Sequence, residues 1–218
     1  MNKKIIETRC TPITLERREE GQSGIIKGRA VVYSSWTDIG WFDEIIEPGA
    51  LDNTDLTDVR LCLNHDTSYV YARSRRNNPR STMQLFPGEA GLDISASLNL
   101  DGSPKARDLW SAIEREDIDK MSFMFTVDSE RWDDLKSDHP KRHILKIGKI
   151  FEVSAVTFPA YDTTFITTSG KDALDSARAA ALENARQARS DAPDGADEEQ
   201  IRKEIEILKL KSKILGGI

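Results

Sequence analysis

The chain has 218 residues, of which 38% are hydrophobic and 31% charged, and its formal net charge is -6. That length suits one domain of ordinary size plus an appendage, and the high charged fraction assigns part of the chain to solvated helix or linker. Acids and bases are interspersed without a basic stripe, which argues against nucleic acid as a partner, and no apolar run approaches the length of a bilayer span.

The only two cysteines, Cys10 and Cys62, do not form a disulfide framework in this reading, because Cys62 lies inside an apolar run. Met1 to Glu7 carries lysines but no apolar core of signal-peptide length. Together these features predict a soluble intracellular protein in a reducing compartment, with no membrane partner.

In chain order, Lys4 to Leu15 alternates loosely and predicts an opening strand. Glu16 to Gly24 has turn chemistry, and Ile25 to Tyr33 follows as a strand that pairs with the first in a hairpin. Ser34 to Gly40 reads as loop, and Trp41 to Ile46 as a short apolar run closed by Glu47-Pro48-Gly49. A short helix is expected to begin at Ala50-Leu51. Val59, Leu61 and Leu63 alternate as a strand, with His65 continuing their face at its end. Tyr69 to Arg73 is expected to pair with the segment after it in the chain, and Leu92 to Leu98 alternates as a half-exposed strand after a turn at Gly88 to Gly91.

From Ser103 to Asp119 the spacing becomes helical, with Ala106, Leu109, Trp110 and Ile113 on one face and Pro104 in the first turn. Lys120 to Val127 is a buried strand carrying Ser122. Asp128 to Pro140 reads as exposed loop, and His143 to Phe158 as two β stretches joined near Gly148. Beyond Ser169 the composition shifts. Ala173 to Arg189 is Ala- and Arg-rich and helical, Asp191 to Gly195 breaks it, and Glu198 to Leu215 is an amphipathic helix with Ile201, Ile205, Leu208 and Ile214. The expectation is a mainly β domain over residues 1–168 and a helical tail over 169–218, the tail being a solvated appendage or a site of partner docking or homo-oligomer formation.

A serine hydroxyl becomes nucleophilic when a base accepts its proton and a third group orients that base. Of the three histidines, His139 sits in a charged loop beside Asp138 and Pro140 and reads as solvated. His143 starts a strand and is ambiguous. His65 ends an apolar strand and is the preferred base. Glu152 lies in an apolar strand where a carboxylate must be paired, at an edge or functional. Ser154 shares its face by period two and is a rival nucleophile to Ser122. His139 and His143 have the four-residue spacing of a metal pair, but Pro140 between them removes its helical meaning. No metal or cofactor is expected, and no phosphate-binding glycine loop is present.

Asp43-Glu44-Ile45-Ile46-Glu47-Pro48-Gly49-Ala50-Leu51, Asn64-His65-Asp66, Gly91-Leu92, Met121-Ser122-Phe123-Met124-Phe125 and Phe151 to Tyr161 occur in that order. The ordered set resembles the prohead (head maturation) protease family of tailed phages, over roughly Lys27 to Thr168. The resemblance implies an α+β fold that is mainly β with surrounding helices. Its core would be bent, antiparallel and barrel-like, similar to that of the herpesvirus assembly protease. It implies a serine endopeptidase with Ser122 as nucleophile, His65 as general base and Glu152 as third member, with His143 as the alternative. The paired arginines of the relatives' oxyanion loop have no counterpart after Glu152, so the oxyanion donors are unassigned, with backbone N–H groups near Pro159 to Asp162 as one candidate set. The implied substrates are the major capsid protein precursor or its scaffold segment, and the protease itself, inside the assembling prohead in the host cytoplasm. The competing reading is a non-catalytic scaffold or capsid-binding module that acts through the C-terminal amphipathic helix.

Overall fold

A computed structural model of the chain describes residues 6–16, 24–157 and 168–190. The chain divides into two units at Asp175/Ser176. The first contains strands β1 (Ile6–Glu16), β2 (Gly24–Val32), β3 (Thr37–Asp38), β4 (Asp43–Ile46), β5 (Val59–Leu63), β6 (Ala72–Ser74), β7 (Met83–Gly88) and β8 (Gly91–Leu98). These are followed by helix α1 (Pro104–Glu114), β9 (Lys120–Asp133), β10 (Lys141–Val156) and the first turns of α2 (Thr168–Ser190). The strands form one sheet in the order β3-β4-β10-β9-β1-β2-β8-β7, with β5 joined to β10 and β6 to β5. The sheet is open, and the fold is mainly β with two described helices, an α+β arrangement.

Alternation explains the outer strands. Leu92, Ile94, Ala96 and Leu98 of β8 are buried between half-exposed neighbours, so one face of the strand closes on the core. α1 packs there too. Ser103 caps it by accepting the Ala106 N–H at 3.1 Å, Pro104 stands in its first turn, and Ala106, Leu109 and Ile113 face inward. Trp110 lies against β2 at Gly24, where an added Cβ would come within 2.5 Å of the indole.

β10 is the strand on which the rest is hung. It pairs along its length with β9, antiparallel, with register shifts between Ile144 and Glu152. On its other edge it takes β4 in parallel over Lys141 to Ile144, then β5 in parallel over Glu152 to Ala155. Near its start Arg142, 2% exposed, is held by Glu44 at 3.0 Å and Glu130 at 2.8 Å between the rings of Phe42 and Trp132. Phe42 also packs with Ile39 and Leu174, which docks the start of α2.

Several expectations change. The segment from Ala50 is no helix but successive turns, Ala50 N to Glu47 O, Asp52 N to Gly49 O and Thr54 N to Leu51 O, with Gly49 at φ +85. Thr54 Oγ1 is drawn instead to Ile147 O of β10 at 2.8 Å. β3 occupies part of the supposed loop before Gly40, paired with β4. β6 pairs backward with β5 rather than forward, and β7 is a further strand on β8. β9 continues to Asp133, because Lys141 to Ile144 returns along it, so the loop shrinks to the tip. β10 runs unbroken through Gly148, and the irregularity expected there is absorbed as register shifts. The amphipathic segment Glu198 to Leu215 and the loop Pro159 to Asp162 lie outside the described residues. In the second unit, α2 continues to Ser190 as a largely exposed helix, with Leu182 at 56% exposure.

Candidate active site

His65 does not continue the face of β5. Asn64 and His65 both have left-handed backbone, φ 50 and 60, so the chain turns sharply as it leaves the strand. Asn and His tolerate this region better than most residues, and hydrogen bonds hold it. Asn64 N donates to Ala155 O at 2.9 Å, extending the β5–β10 ladder by one rung, and Asp66 N closes the turn on Leu63 O at 2.9 Å. Asn64 Oδ1 accepts from Thr157 N at 2.9 Å and from Thr157 Oγ1 at 3.2 Å, tying the turn to the end of β10.

That turn delivers the imidazole to β10. His65 Nδ1 lies 2.6 Å from Glu152 Oε1, and the carboxylate is 1% exposed while the ring is 26% exposed. The other carboxylate oxygen accepts from Ser154 Oγ. Ser154 Oγ in turn accepts the His65 backbone N–H at 3.1 Å. An ionised carboxylate oxygen only accepts, so Nδ1 is the donor in this contact, and the neutral form of a ring so held has its lone pair on Nε2. Glu152 is therefore neither an edge residue nor a simple surface pair. It is a central-strand carboxylate in contact with an imidazole.

Ser122 lies one strand over. In the β9–β10 ladder it stands directly opposite Ser154, with Met124 opposite Glu152, and its other cross-strand neighbour is Cys10 of β1. Residues opposite one another share a sheet face, so Ser122, Ser154 and Cys62 of β5 lie in one row across β9, β10 and β5. Ser122 is fully buried, and its Oγ has no hydrogen-bond partner among the described residues. The structure thus brings His65 and Glu152 into contact and sets Ser122 beside them without a Ser122–His65 hydrogen bond. A buried hydroxyl left unpaired costs about 1–3 kcal/mol.

The remaining histidines lie elsewhere. His143 Nδ1 is 2.6 Å from Glu47 Oε1, and its Nε2 is 3.0 Å from Asp133 Oδ2 in ion-pair rather than hydrogen-bond geometry. It sits nine residues before Glu152 on β10, up to roughly 30 Å along the strand at about 3.3 Å per residue, and touches neither Glu152 nor Ser122. His139 is in the tip, 3.2 Å from Asp43 and 3.7 Å from Asp38. It shares no ligand cluster with His143 among the described residues. Ser154 and Asn64 are the participants whose roles sequence reasoning missed. Period two put Ser154 on the face of Glu152, but its bond to the His65 main chain depends on β5 joining β10.

Beside the His65 turn lies a groove of about 460 Å³, floored by Leu63, Leu109, Ala112 and Ile118 and rimmed by Tyr69 and Tyr71 among others.

Residues 12–177 match a family model described as caudovirus prohead serine protease. No curated protein and no solved structure matches the chain.

Proposed function

Because the chain belongs to the caudovirus prohead serine protease family, we propose that it is a serine endopeptidase of phage capsid maturation with Ser122 as nucleophile, His65 as general base and Glu152 as its orienting carboxylate. The observation that carries this reading is the contrast between two serines. Ser154 uses its proton and one lone pair in bonds to Glu152 and the His65 N–H, whereas Ser122, directly opposite it, is buried and has no hydrogen-bond partner among the described residues.

In the proposed reaction Ser122 Oγ attacks the scissile carbonyl carbon as its proton passes to His65 Nε2. Glu152 holds Nδ1–H and stabilises the imidazolium that forms. Collapse of the tetrahedral intermediate breaks the C–N bond, His65 returns the proton to the leaving amine, and an acyl-enzyme remains on Ser122. Water, deprotonated by His65, hydrolyses that ester and regenerates the hydroxyl. The Ser122–His65 bond forms only when substrate is engaged, as catalytic hydrogen bonds often do. The substrates in this proposal are the capsid protein precursor or its scaffold segment and the protease itself, acting inside the assembling prohead. A domain over residues 1–168 and a core related to the herpesvirus assembly protease belong to the same proposal.

The test is co-expression of the full chain, wild type or Ser122→Ala, with the capsid precursor, followed by intact-mass measurement. Processing by the wild type alone is expected. Identical unprocessed products from two folded proteins would overturn the assignment.

A further inference from the structure

The bonding around Glu152 leaves one participant without a role in the proposed chemistry. Ser154 is fully buried, sits on the central strand two residues from Glu152, and makes two bonds that bridge different parts of the site. Its Oγ donates to Glu152 Oε2, the carboxylate oxygen not used by the imidazole. The same oxygen accepts the N–H of His65 at 3.1 Å. One hydroxyl therefore fixes both the carboxylate and the main chain of the residue that the carboxylate orients.

We propose that Ser154 is a positioning residue for the His65–Glu152 pair: its hydroxyl locks the Glu152 carboxylate and the left-handed His65 backbone in one geometry, and it is not itself the nucleophile. This rests on the roles proposed for Ser122, His65 and Glu152.

Three features support the assignment. A carboxylate carrying two bonds cannot rotate about its terminal torsion without breaking both, so Oε1 stays aimed at Nδ1 while Oε2 is occupied. The His65 N–H, in left-handed backbone at φ 60, has Ser154 Oγ as its acceptor at 3.1 Å. A buried unpaired N–H would weaken the turn that presents the ring. The single Ser154 proton is directed at Glu152 rather than at an imidazole nitrogen, and one of its two lone pairs is engaged by the His65 N–H, so a base cannot take that proton without breaking the bond to Glu152. Ser122 Oγ makes neither bond among the described residues.

The experiment compares full-length wild type, Ser154→Ala and Ser154→Thr, with folding checked by thermal unfolding. For cleavage of a capsid-precursor peptide, Ser154→Ala is expected to lower kcat about 10- to 100-fold, the effect of one hydrogen bond to a charged group, while KM stays within about twofold of wild type. Ser154→Thr keeps the oxygen and should recover most of the loss. A folded Ser154→Ala with kcat within twofold of wild type, or a Thr variant as slow as the Ala variant, overturns the proposal. Two further readouts separate this proposal from the catalytic assignment. A fluorophosphonate should form its adduct on Ser122, and an adduct on Ser154 overturns both. The low-field proton resonance of His65 Nδ1–H, identified by its loss in Glu152→Gln, should shift or broaden in Ser154→Ala whether or not the enzyme is labelled. An unchanged resonance overturns the positioning role while leaving the nucleophile untouched.

Discussion

His65 Nδ1 and Glu152 Oε1, 87 residues apart in the chain, meet at 2.6 Å across the parallel seam between β5 and β10. The contact exists because β5 stops at Leu63, the next two residues turn through left-handed backbone, and Ser154 receives the His65 N–H. Glu152 is expected to matter through its charge as much as its shape. Glu152→Gln keeps the volume but allows the amide to donate toward Nδ1, favouring the wrong imidazole tautomer. Peptidase activity should fall roughly 10³- to 10⁴-fold with little change in KM, measured on a capsid-precursor peptide.

Ser122→Ala should separate activity from stability. Its hydroxyl has no partner among the described residues, so removing it is expected to leave unfolding free energy unchanged or raise it by up to about 1 kcal/mol while abolishing cleavage. Urea unfolding of the variant checks this; a loss of more than about 1 kcal/mol would mean that the oxygen has a structural partner.

Gly91 opens β8 at φ +135, and a Cβ there would lie 1.9 Å from the carbonyl oxygen of Val31. The obstacle is backbone and cannot swing aside. Gly91→Ala should therefore destabilise the fold by roughly 2–4 kcal/mol, read from the denaturation midpoint.

Arg142 and Glu44 are each 2% exposed and 3.0 Å apart. Arg142→Met removes the guanidinium from a buried carboxylate and should cost about 3–5 kcal/mol. Adding Glu44→Gln should recover part of that loss in a double-mutant cycle, since the amide carries no charge to be desolvated.

Burial first, and then the negative charge of Glu152, push the Cys62 thiol up to about 11. The free thiol of an unfolded chain titrates near about 8.5. A folded value above the unfolded one stabilises the fold fully below about 8.5, and this contribution is lost as pH rises through about 11. At pH 8 iodoacetamide should leave Cys62 unmodified in the native protein and alkylate it on unfolding; rapid native alkylation would contradict the buried position.

The mainly β organisation was readable because its signals are local. Alternation in Leu92 to Leu98 and helical spacing with a Ser103-Pro104 start report on a single element and need no partner. The errors fell where a segment's structure is set by a distant strand. The turns after Pro48 have helix-like composition, but Thr54 is held by Ile147 of β10, and a second element decides the outcome. The tip after Asp128 reads as polar loop, yet β9 is extended there by the returning β10.

The amino-acid sequence by itself marked Ser122, Ser154, His65 and Glu152 as polar residues in or beside apolar strands, and it was the resemblance to a family that preferred Ser122, His65 and Glu152 among them. Only the tertiary structure decided which of them touch. β5 adds to β10 in parallel, and that long-range pairing aligns Cys62 with Ser154 and carries the His65 turn onto Glu152. It also gave different partners to two serines that the sequence left as rivals. Ser154 bonds Glu152 and the His65 N–H, whereas Ser122 Oγ has no hydrogen-bond partner among the described residues. Hydrogen-bond partners belong to the assembled sheet rather than to any stretch of chain.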